Sequence, residues 1–468
     1  MSNNVVPRYQ TTAYMDLAVN ESTPVIKASA QYGLLNDVDT EVGPSGAATA
    51  VNSVFRCESG IDPNGFASVS TSNALIFRPG QGEKDLFTAS FSLGQAGSEQ
   101  FAGLINPGSG GGFGYNGTEF GILLRTGGEI ALQELTITGA AGGSENATIT
   151  IDGSPYIVPL TSGTAQHNAV EAATSLNAQV SLWSFEAVDN QVVAASLIAT
   201  PSTGSFLFTS ATALASWVQV AAGVLPLDVW FNQEDWNVDT MPELTPVNFN
   251  NYKIQLGPSI GHFSVFSGID NEYKIVHVVN TNNLSATLTI ANPTLGHSWY
   301  AVNRGSTTSV SVEGGYCGLF REGPNTMLRP TQSKQNILVG VSTTPVPIIS
   351  FRSRLSINGV VNLAKAYITG AQITSDSAKT MVATLINGGT LTDPVFQYVD
   401  KATSILEVDT SATAVTGGTG ISITGLNSIV VSDLETLLNM GDIITIAVNV
   451  TANPASEFVA TVAYLEDS

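Results

Sequence analysis

The stretch from Gly112 to Arg125 is the feature that most constrains the fold of this chain. At its centre lies Asn116-Gly117, two residues that tolerate the positive φ of a type I′ hairpin turn. On either side of that turn, large apolar side chains fall on alternate positions: Phe113, Tyr115, Phe120, Ile122 and Leu124. Such alternation is typical of strands with one buried face. The stretch therefore predicts an aromatic-faced antiparallel hairpin.

The composition extends this prediction to the whole chain of 468 residues. Charged residues make up only 12% of the sequence, against a usual share of about 25%. The solvent faces of a helical enzyme would need more Lys, Glu and Arg than this. Many small and β-branched residues, with 45 glycines, instead favour pleated sheets and tight turns.

The net charge is −21, from 17 basic and 38 acidic residues. Because phosphate binding needs clusters of Lys and Arg, nucleic acid is not expected as a partner. Anionic membrane surfaces are not expected either, and no run of residues has the length of a membrane span. The net charge has two interpretations. It would keep many copies soluble and orient their assembly through self-repulsion, or it is simply that of an ordinary acidic soluble protein.

The two cysteines, Cys57 and Cys317, are too few for a disulfide-scaffolded secreted protein of this size. Two unpaired buried thiols are favoured, although a pairing is open because both fall in one predicted domain. The first residues lack a basic region followed by an apolar core. We therefore expect the chain to be made and folded in a cytoplasm.

Strand patterns and turn residues predict a mainly β fold with two antiparallel β-sandwich or jelly-roll domains. Residues 51–131 and 224–324 form the first sandwich, and residues 345–468 form the second. A small α+β module, 132–223, interrupts the first, with a hairpin turn at Asp152-Gly153 and a helix capped by Thr164. Residues 1–50 are predicted to form either an N-terminal arm or the first strands, and residues 325–344 are predicted to form a linker. A short helix is predicted at Asp433–Met440.

Three stretches of the sequence resemble structural proteins of tailed phages and of large double-stranded DNA viruses. The first is the hairpin with its lead-in from Leu104. The second lies in the insert, at Ala147–Gly153, the following helix and Gly204–Phe206. The third is the C-terminal unit, through Phe351–Arg354 with Asn358-Gly359, Glu407–Ser411, Thr416–Gly418, Gly441-Asp442 and Glu466-Asp467.

This resemblance implies a non-enzymatic virion surface protein, such as a spike, fibre, vertex or tail component. It also implies a lectin-like jelly roll for the first sandwich, a viral fibre-type C-terminal β-domain and a homo-oligomer, often a trimer. The expected partners are further copies of the chain, other virion proteins and, in a host-attachment role, a host surface glycan. The expected location is the virion.

One cluster of side chains suits sugar binding. Trp230, Glu234, Asp235 and Trp236 lie within a few residues of one another, and sugars stack on Trp while carboxylates accept hydrogen bonds from their hydroxyls. A structural corner is the favoured interpretation of this cluster. Non-catalytic glycan binding comes next, and catalysis by paired carboxylates, as in a polysaccharide-degrading spike, comes last.

No cofactor, metal or catalytic residue is predicted. The four histidines, His167, His262, His277 and His297, show no spacing that suggests a third metal ligand, so structural roles are favoured. Asn36–Glu41 has oxygen ligands at alternate positions, as a Ca²⁺ loop can, but lacks the EF-hand pattern, and a solvated loop is favoured. The glycine runs lack the residues of a phosphate loop.

Overall fold

The computed structural model describes residues 24–35, 37–76, 81–180, 182–282, 290, 293–322, 331–339, 343–357, 360–362, 364–376, 380–432, 436–438, 442–450 and 457–467. These residues form two compact units. The first lies within Met1–Glu129 and Leu225–Thr326, and the second within Ile130–Val224 and Met327–Ser468. The predicted mainly β class, built from antiparallel sheets, is confirmed.

The elements follow in chain order. Up to the end of the first segment of unit 1, the strands are β1 (Ile26–Ser29), β2 (Val38–Val42), β3 (Ala47–Val51), β4 (Val54–Glu58), β5 (Phe66–Thr71), β6 (Gly82–Phe91), β7 (Ser98–Ile105), β8 (Gly110–Asn116) and β9 (Glu119–Thr126). The next elements are β10 (Glu129–Gly139), β11 (Glu145–Ile151), β12 (Ser154–Leu160), α1 (Ala165–Gln179), β13 (Trp183–Val188), β14 (Gln191–Ser196), β15 (Leu207–Thr209) and β16 (Leu214–Val224).

The chain then returns to unit 1 with β17 (Leu227–Asn232), β18 (Asn250–Gly257), β19 (Ile260–Ser267), β20 (Glu272–Asn280), β21 (Gly296–Asn303), β22 (Ser311–Gly314) and β23 (Tyr316–Glu322). It ends with β24 (Gln332–Val339), β25 (Val346–Ser353), β26 (Ser356–Ile357), β27 (Val360–Val361), β28 (Lys365–Ser375), β29 (Thr380–Asn387), β30 (Thr390–Thr392), β31 (Gln397–Tyr398), β32 (Leu406–Asp409), β33 (Ala414–Thr416), β34 (Thr419–Leu426), β35 (Ser428–Val431), β36 (Thr436–Leu438), β37 (Ile443–Val450) and β38 (Glu457–Asp467). Short 3₁₀ helices lie at Ala30–Tyr32 and Gln233–Asp235.

Unit 1 is a sandwich of a nine-stranded and a seven-stranded sheet. The order β20-β19-β18-β6-β22-β4-β3, with β1 and β23 beside β6, faces the order β17-β9-β8-β7-β21-β5-β2. Aromatic rings from both sheets fill the space between them. Phe113 of β8 lies 4.7 Å from Tyr252 of β18, measured between ring centroids, and Trp299 of β21 is fully buried. Burial of such large rings is the main stabilising contribution to a sandwich core.

The hairpin predicted from the sequence is strands β8 and β9, with its turn one residue later than expected. Phe113 pairs with Ile122 and Tyr115 with Phe120, and all four side chains are buried in the core. Asn116 is the last paired residue, so the turn is Gly117-Thr118, and of these two only Gly117 has a positive φ, at 61°. A positive φ at the first turn position alone matches type II′ rather than the predicted type I′.

The inserted module has a helix, a four-stranded sheet and a three-stranded sheet around its own core. The sheet orders are β13-β14-β10-β16 and β12-β11-β15. The predicted turn at Asp152-Gly153 is confirmed, since both residues have a positive φ, as type I′ requires. The predicted cap is confirmed too, because the Thr164 hydroxyl accepts a 3.1 Å hydrogen bond from the His167 N–H.

The C-terminal part of unit 2 is a second sandwich. Its sheets have the orders β24-β38-β28-β35, with β36 also beside β28, and β31-β32-β25-β37-β29-β34. The core between them includes Phe351, Phe458 and Tyr464, all nearly fully buried. Strand β24 lies within the predicted linker 325–344 and pairs with β38, so that segment is in part a sheet strand.

Arg352 of β25 ties the inserted module to this second sandwich. Its Nε lies 2.6 Å from a carboxylate oxygen of Glu186 in β13, and its Nη2 lies 2.5 Å from Glu407 in β32. Nη2 also donates to the Ala187 carbonyl at 2.7 Å, and the Leu355 N–H donates to Glu186 at 2.9 Å. The two carboxylates are almost completely buried. Burial raises the pKa of both, and Arg352 counteracts that rise.

The structure also tests the elements predicted near the two ends of the chain and the state of the two cysteines. The helix predicted at Asp433–Met440 is wrong where the structure describes it, because Thr436–Leu438 is strand β36, which pairs with β28. The described part of residues 1–50 forms strands rather than an arm. Residues 1–23 lie outside the described residues, and so does the predicted turn at Asn358-Gly359.

Cys57 and Cys317 are buried and unpaired, as favoured. Burial raises the pKa of Cys57 to about 12, which favours the protonated thiol at neutral pH.

Candidate functional site

The four candidate sugar-binding residues, for which a structural corner was the favoured interpretation, lie at the end of strand β17 and in the turn that follows it. Trp236 is 5% exposed and packs in the core of unit 1 against Phe113 and Phe120, and its indole N–H donates to the Phe231 carbonyl. Glu234 and Asp235 are exposed on the 3₁₀ turn after β17. Trp230 is half-buried in a separate cluster that includes Leu123. The structure therefore does not present the two indoles as one stacking platform.

Trp230 belongs to an aromatic patch on the outer face of the seven-stranded sheet. Phe101 and Leu123 lie in the strands that flank β8, and by alternation the outward positions of β8 are Gly112 and Gly114. Phe101 and Leu123 are both almost completely buried. An added Cβ at Gly114 would lie 1.8 Å from the Gln100 carbonyl oxygen, so the strands are too close for any other residue.

Two ion pairs flank this patch. Arg125 makes a two-pronged contact with Asp228, with N–O distances of 2.8 and 2.7 Å, and its guanidinium carbon lies 5.5 Å from the Phe101 ring centroid. Arg304 donates to Glu99 at 3.0 and 3.1 Å. Tyr300 stacks on Phe101 with a centroid distance of 5.0 Å, and burial raises the pKa of its hydroxyl.

This outer patch was missed at the sequence level except for Trp230. Phe101 and Ile105 alternate with core-facing Ala102 and Leu104, so the run is apolar on both faces. A run of that kind indicates a strand covered on both sides. That signal could have identified β7 as the centre of an outer patch, but not the side chains that surround it.

Two of the histidines, His277 and His297, make contacts inside unit 1. His297 and Asp85 are fully buried, with Nδ1 of His297 2.6 Å from the carboxylate, while burial raises the pKa of Asp85. Nδ1 of His277 accepts a hydrogen bond from the Asn237 N–H. Within the described ranges, no group of three or more His, Cys, Asp or Glu side chains is placed to hold a metal ion. Residues 38–41, for which a solvated loop was favoured over a Ca²⁺ loop, lie in strand β2, so the loop interpretation is wrong for these residues.

Strand β16 presents an uncharged apolar face to solvent at the end of its sheet. Residues 190–227 contain no charged side chain. Along β16, Ala215 and Trp217 pack on the core of the module, while the following side chains are between 39% and 65% exposed: Leu214, Val218, Val220 and Val224. Sheet edges usually carry charges or prolines that prevent pairing with other chains. This edge strand has neither.

Strand β34 has the same character in the second sandwich. Residues 410–432 contain no charged side chain, and β34 is the last strand of its sheet, paired only with β29 among the described strands. Ile421 is 66% exposed and lies at the mouth of an apolar cavity of about 40 Å³ between the two sheets. Beyond Ile421, the lining includes Ala371, Ile373, Leu385, Ile423 and Ile446.

Comparisons with known proteins give no family. No protein-family model matches the chain, and no curated protein matches it. The Faustovirus major capsid protein aligns over 91% of this chain and 92% of its own, at 9% sequence identity and a TM-score of 0.08. A TM-score of this size carries no argument about fold or function. In the part of the chain that the structure describes, no helix combines the length and the apolar composition of a membrane span.

Proposed function

We propose that the chain is a non-enzymatic structural protein of a virion surface, in the class of spikes, fibres, vertices or tail components, and that it acts by assembling with further copies of itself and with other virion proteins. The sequence resemblance suggests the class. The β-sandwich architecture is compatible with it, because sandwiches present flat faces and edges to neighbouring subunits.

One observation carries the proposal: exposed, charge-free edge strands on a chain of net charge −21. Copies of an acidic protein repel one another over most of their surface. They approach most easily where the surface has no charge, and unpaired strands with apolar side chains stabilise such contacts. A protein that works alone would be expected to block these edges with charges.

The test is the oligomeric state of the purified protein, together with its presence in particles. We expect an oligomer at micromolar concentration by light scattering coupled to gel filtration, and we expect antibodies to the chain to label virions. A stable monomer at that concentration, absent from virions, would contradict the proposal.

A second function, recognition of a host glycan, is favoured by the outer patch around Trp230 and Tyr300, where rings lie beside paired Arg and carboxylate groups. Sugars bind to such combinations of rings and planar polar groups. The test is a glycan array that includes algal and bacterial polysaccharides. Binding that Trp230→Ala abolishes and Trp230→Phe retains would support this role, and no binding to any glycan would count against it.

A polysaccharide-degrading spike remains the third alternative, and its only named candidates are Glu234 and Asp235. If these two carboxylates are only solvent-exposed residues of the turn, the double variant Glu234→Gln, Asp235→Asn should leave the turnover of host polysaccharide unchanged. Loss of turnover in that variant would instead make the chain an enzyme.

A further inference from the structure

We propose that β34 is a homotypic contact: the β34 strands of two copies pair antiparallel about a two-fold axis and so join the two six-stranded sheets into one continuous sheet. This inference rests on the proposed function and names the surface through which copies meet. Its structural basis is the edge of β34 that pairs with no other described strand, together with the exposed Ile421 and the apolar cavity beside it.

The chemistry of the edge identifies the partner as a second copy. An unpaired strand is complementary to itself, because antiparallel pairing about a two-fold axis satisfies the free N–H and C=O groups of both copies at once. Residues 410–432 carry no charge, so the contact avoids the repulsion that other parts of two acidic chains would experience. A basic or acidic partner would find no complementary charge on this strand.

The cavity explains why β34 is a better contact than an exposed edge alone. At about 40 Å³ it is too small for a sugar or a lipid, but it can take the end of one apolar side chain. A strand added beside β34 would cover Ile421 and close the mouth of the cavity. The cavity then becomes part of a core that continues from one copy into the next.

Symmetry limits the possible registers. A two-fold axis perpendicular to the sheet keeps each side chain on its own face of the sheet. Even-numbered residues of one copy therefore pair only with even-numbered residues of the other, and odd-numbered with odd-numbered. The residue at the axis pairs with the same residue of the second copy. Ser422 and Thr424 are two positions at which the axis can lie. A two-fold contact joins copies in pairs, so in a trimeric protein it would link one trimer to another.

The main experiment compares three forms of the full chain by analytical ultracentrifugation: the wild type, Ile421→Lys and Ile269→Lys. Ile269, in the turn between β19 and β20, is 80% exposed and serves as a matched control in a turn rather than within a strand. We expect Ile421→Lys to weaken self-association by at least about tenfold, and Ile269→Lys to leave it unchanged. Circular dichroism verifies that each variant is folded.

A second measurement does not depend on a disruptive change. Because the only two cysteines, Cys57 and Cys317, are buried, Ser422→Cys and Thr424→Cys each introduce a single accessible thiol. One of these variants should form an intermolecular disulfide under mild oxidation much faster than a Ser428→Cys control on β35. The faster variant also identifies the register.

The outcomes separate this inference from the proposed function. An oligomeric wild type that Ile421→Lys does not weaken, with no cross-linking at Ser422 or Thr424, overturns the β34 contact but leaves the assembly role in place. An oligomer lost on deletion of residues 1–23 and unaffected by Ile421→Lys also overturns it, since the N-terminal segment would then be the partner. A monomeric wild type absent from virions contradicts the proposed function itself.

Discussion

Arg352 is the residue on which the junction within unit 2 most depends. It pairs with two carboxyl groups, those of Glu186 and Glu407, whose residues are 6% and 1% exposed. Removal of one partner from a buried ionic cluster leaves uncompensated charge and costs about 3–5 kcal/mol. We therefore expect Arg352→Met to lower the free energy of unfolding of unit 2 by about that amount, measured by urea denaturation.

A matched control is Arg304→Met, because Arg304 is 55% exposed in its pair with Glu99. Exposed pairs contribute about 0.2–1 kcal/mol, so this variant should change stability little. The triple variant Arg352→Met, Glu186→Gln, Glu407→Gln should recover much of the loss, since it removes the buried charges together. Equal effects of the two single variants would contradict the role given to Arg352.

Glu83 predicts a pH dependence of stability in unit 1. Its side chain lies on the core face of β6, and neither carboxylate oxygen has a hydrogen-bond partner among the described residues. Burial raises the pKa of this carboxyl well above 4.5, and Arg321 partly opposes that shift. The folded state therefore holds this proton more tightly than the unfolded state. The contribution of the Glu83 carboxyl to the free energy of unfolding is therefore fully present at or below about pH 4.5. It decreases as the pH rises towards the raised pKa of the folded state.

We expect Glu83→Gln to be more stable than the wild type at pH 8, by about 1–3 kcal/mol for a buried group without a partner, and to lose this advantage near pH 4.5. Urea denaturation over that range measures the difference. Glu234→Gln controls for the loss of one carboxylate from an exposed position. A stability difference between Glu83→Gln and the wild type that does not change with pH would contradict the assignment.

At the scale of elements, helix α1 depends on its N-cap. The Thr164 hydroxyl satisfies one N–H of the first turn, and no acidic side chain lies in that turn to assist it. Thr164→Ala should lower the stability of unit 2 by about 1 kcal/mol. Thr174→Ala, at an exposed position inside the same helix, should be neutral or slightly stabilising because Ala has the higher helix propensity. Thermal unfolding followed by circular dichroism distinguishes the two.

Local patterns predicted elements well where large apolar side chains alternate along a strand, although β8 and β9 are buried on both faces rather than on the one face expected. Alternation identified the β8–β9 hairpin, and Asp152-Gly153 and Thr164 identified a turn and a cap. The same rules placed one turn a residue early, because Asn116 tolerates a turn but pairs with Glu119 instead. The helix expected at Asp433–Met440 failed because pairing of Thr436–Leu438 with β28 overrides local helix preference.

The candidate site was harder to predict because it depends on contacts between distant residues. Trp230 and Trp236 are close in sequence, yet the strand and turn between them send one ring outward and the other into the core. Arg352 and Ala187 are 165 residues apart and still share a hydrogen bond. Nothing in a local pattern specifies such a pairing, so the packing of the inserted module on the second sandwich was not predicted.

At the scale of the whole molecule, the distribution of charge matters more than its total. The net charge of −21 predicts repulsion between copies, yet the segments 190–227 and 410–432 are free of charge and contain exposed edge strands. An acidic body with neutral edges restricts association to a few contacts. Assembly through those edges would therefore be selective even though apolar contacts themselves have little directional preference.

This arrangement makes a prediction about salt. The distance over which charges act falls from about 30 Å at 0.01 M salt to about 8 Å at 0.15 M, so repulsion between copies weakens across that range while uncharged contacts are unaffected. We expect self-association to become tighter as salt rises, measured by sedimentation equilibrium at a fixed pH. Ile269→Lys, which leaves β16 and β34 intact, should follow the wild type. Association that weakens with salt would instead mean that copies meet through complementary charges, and the neutral edges would then not be the assembly surfaces.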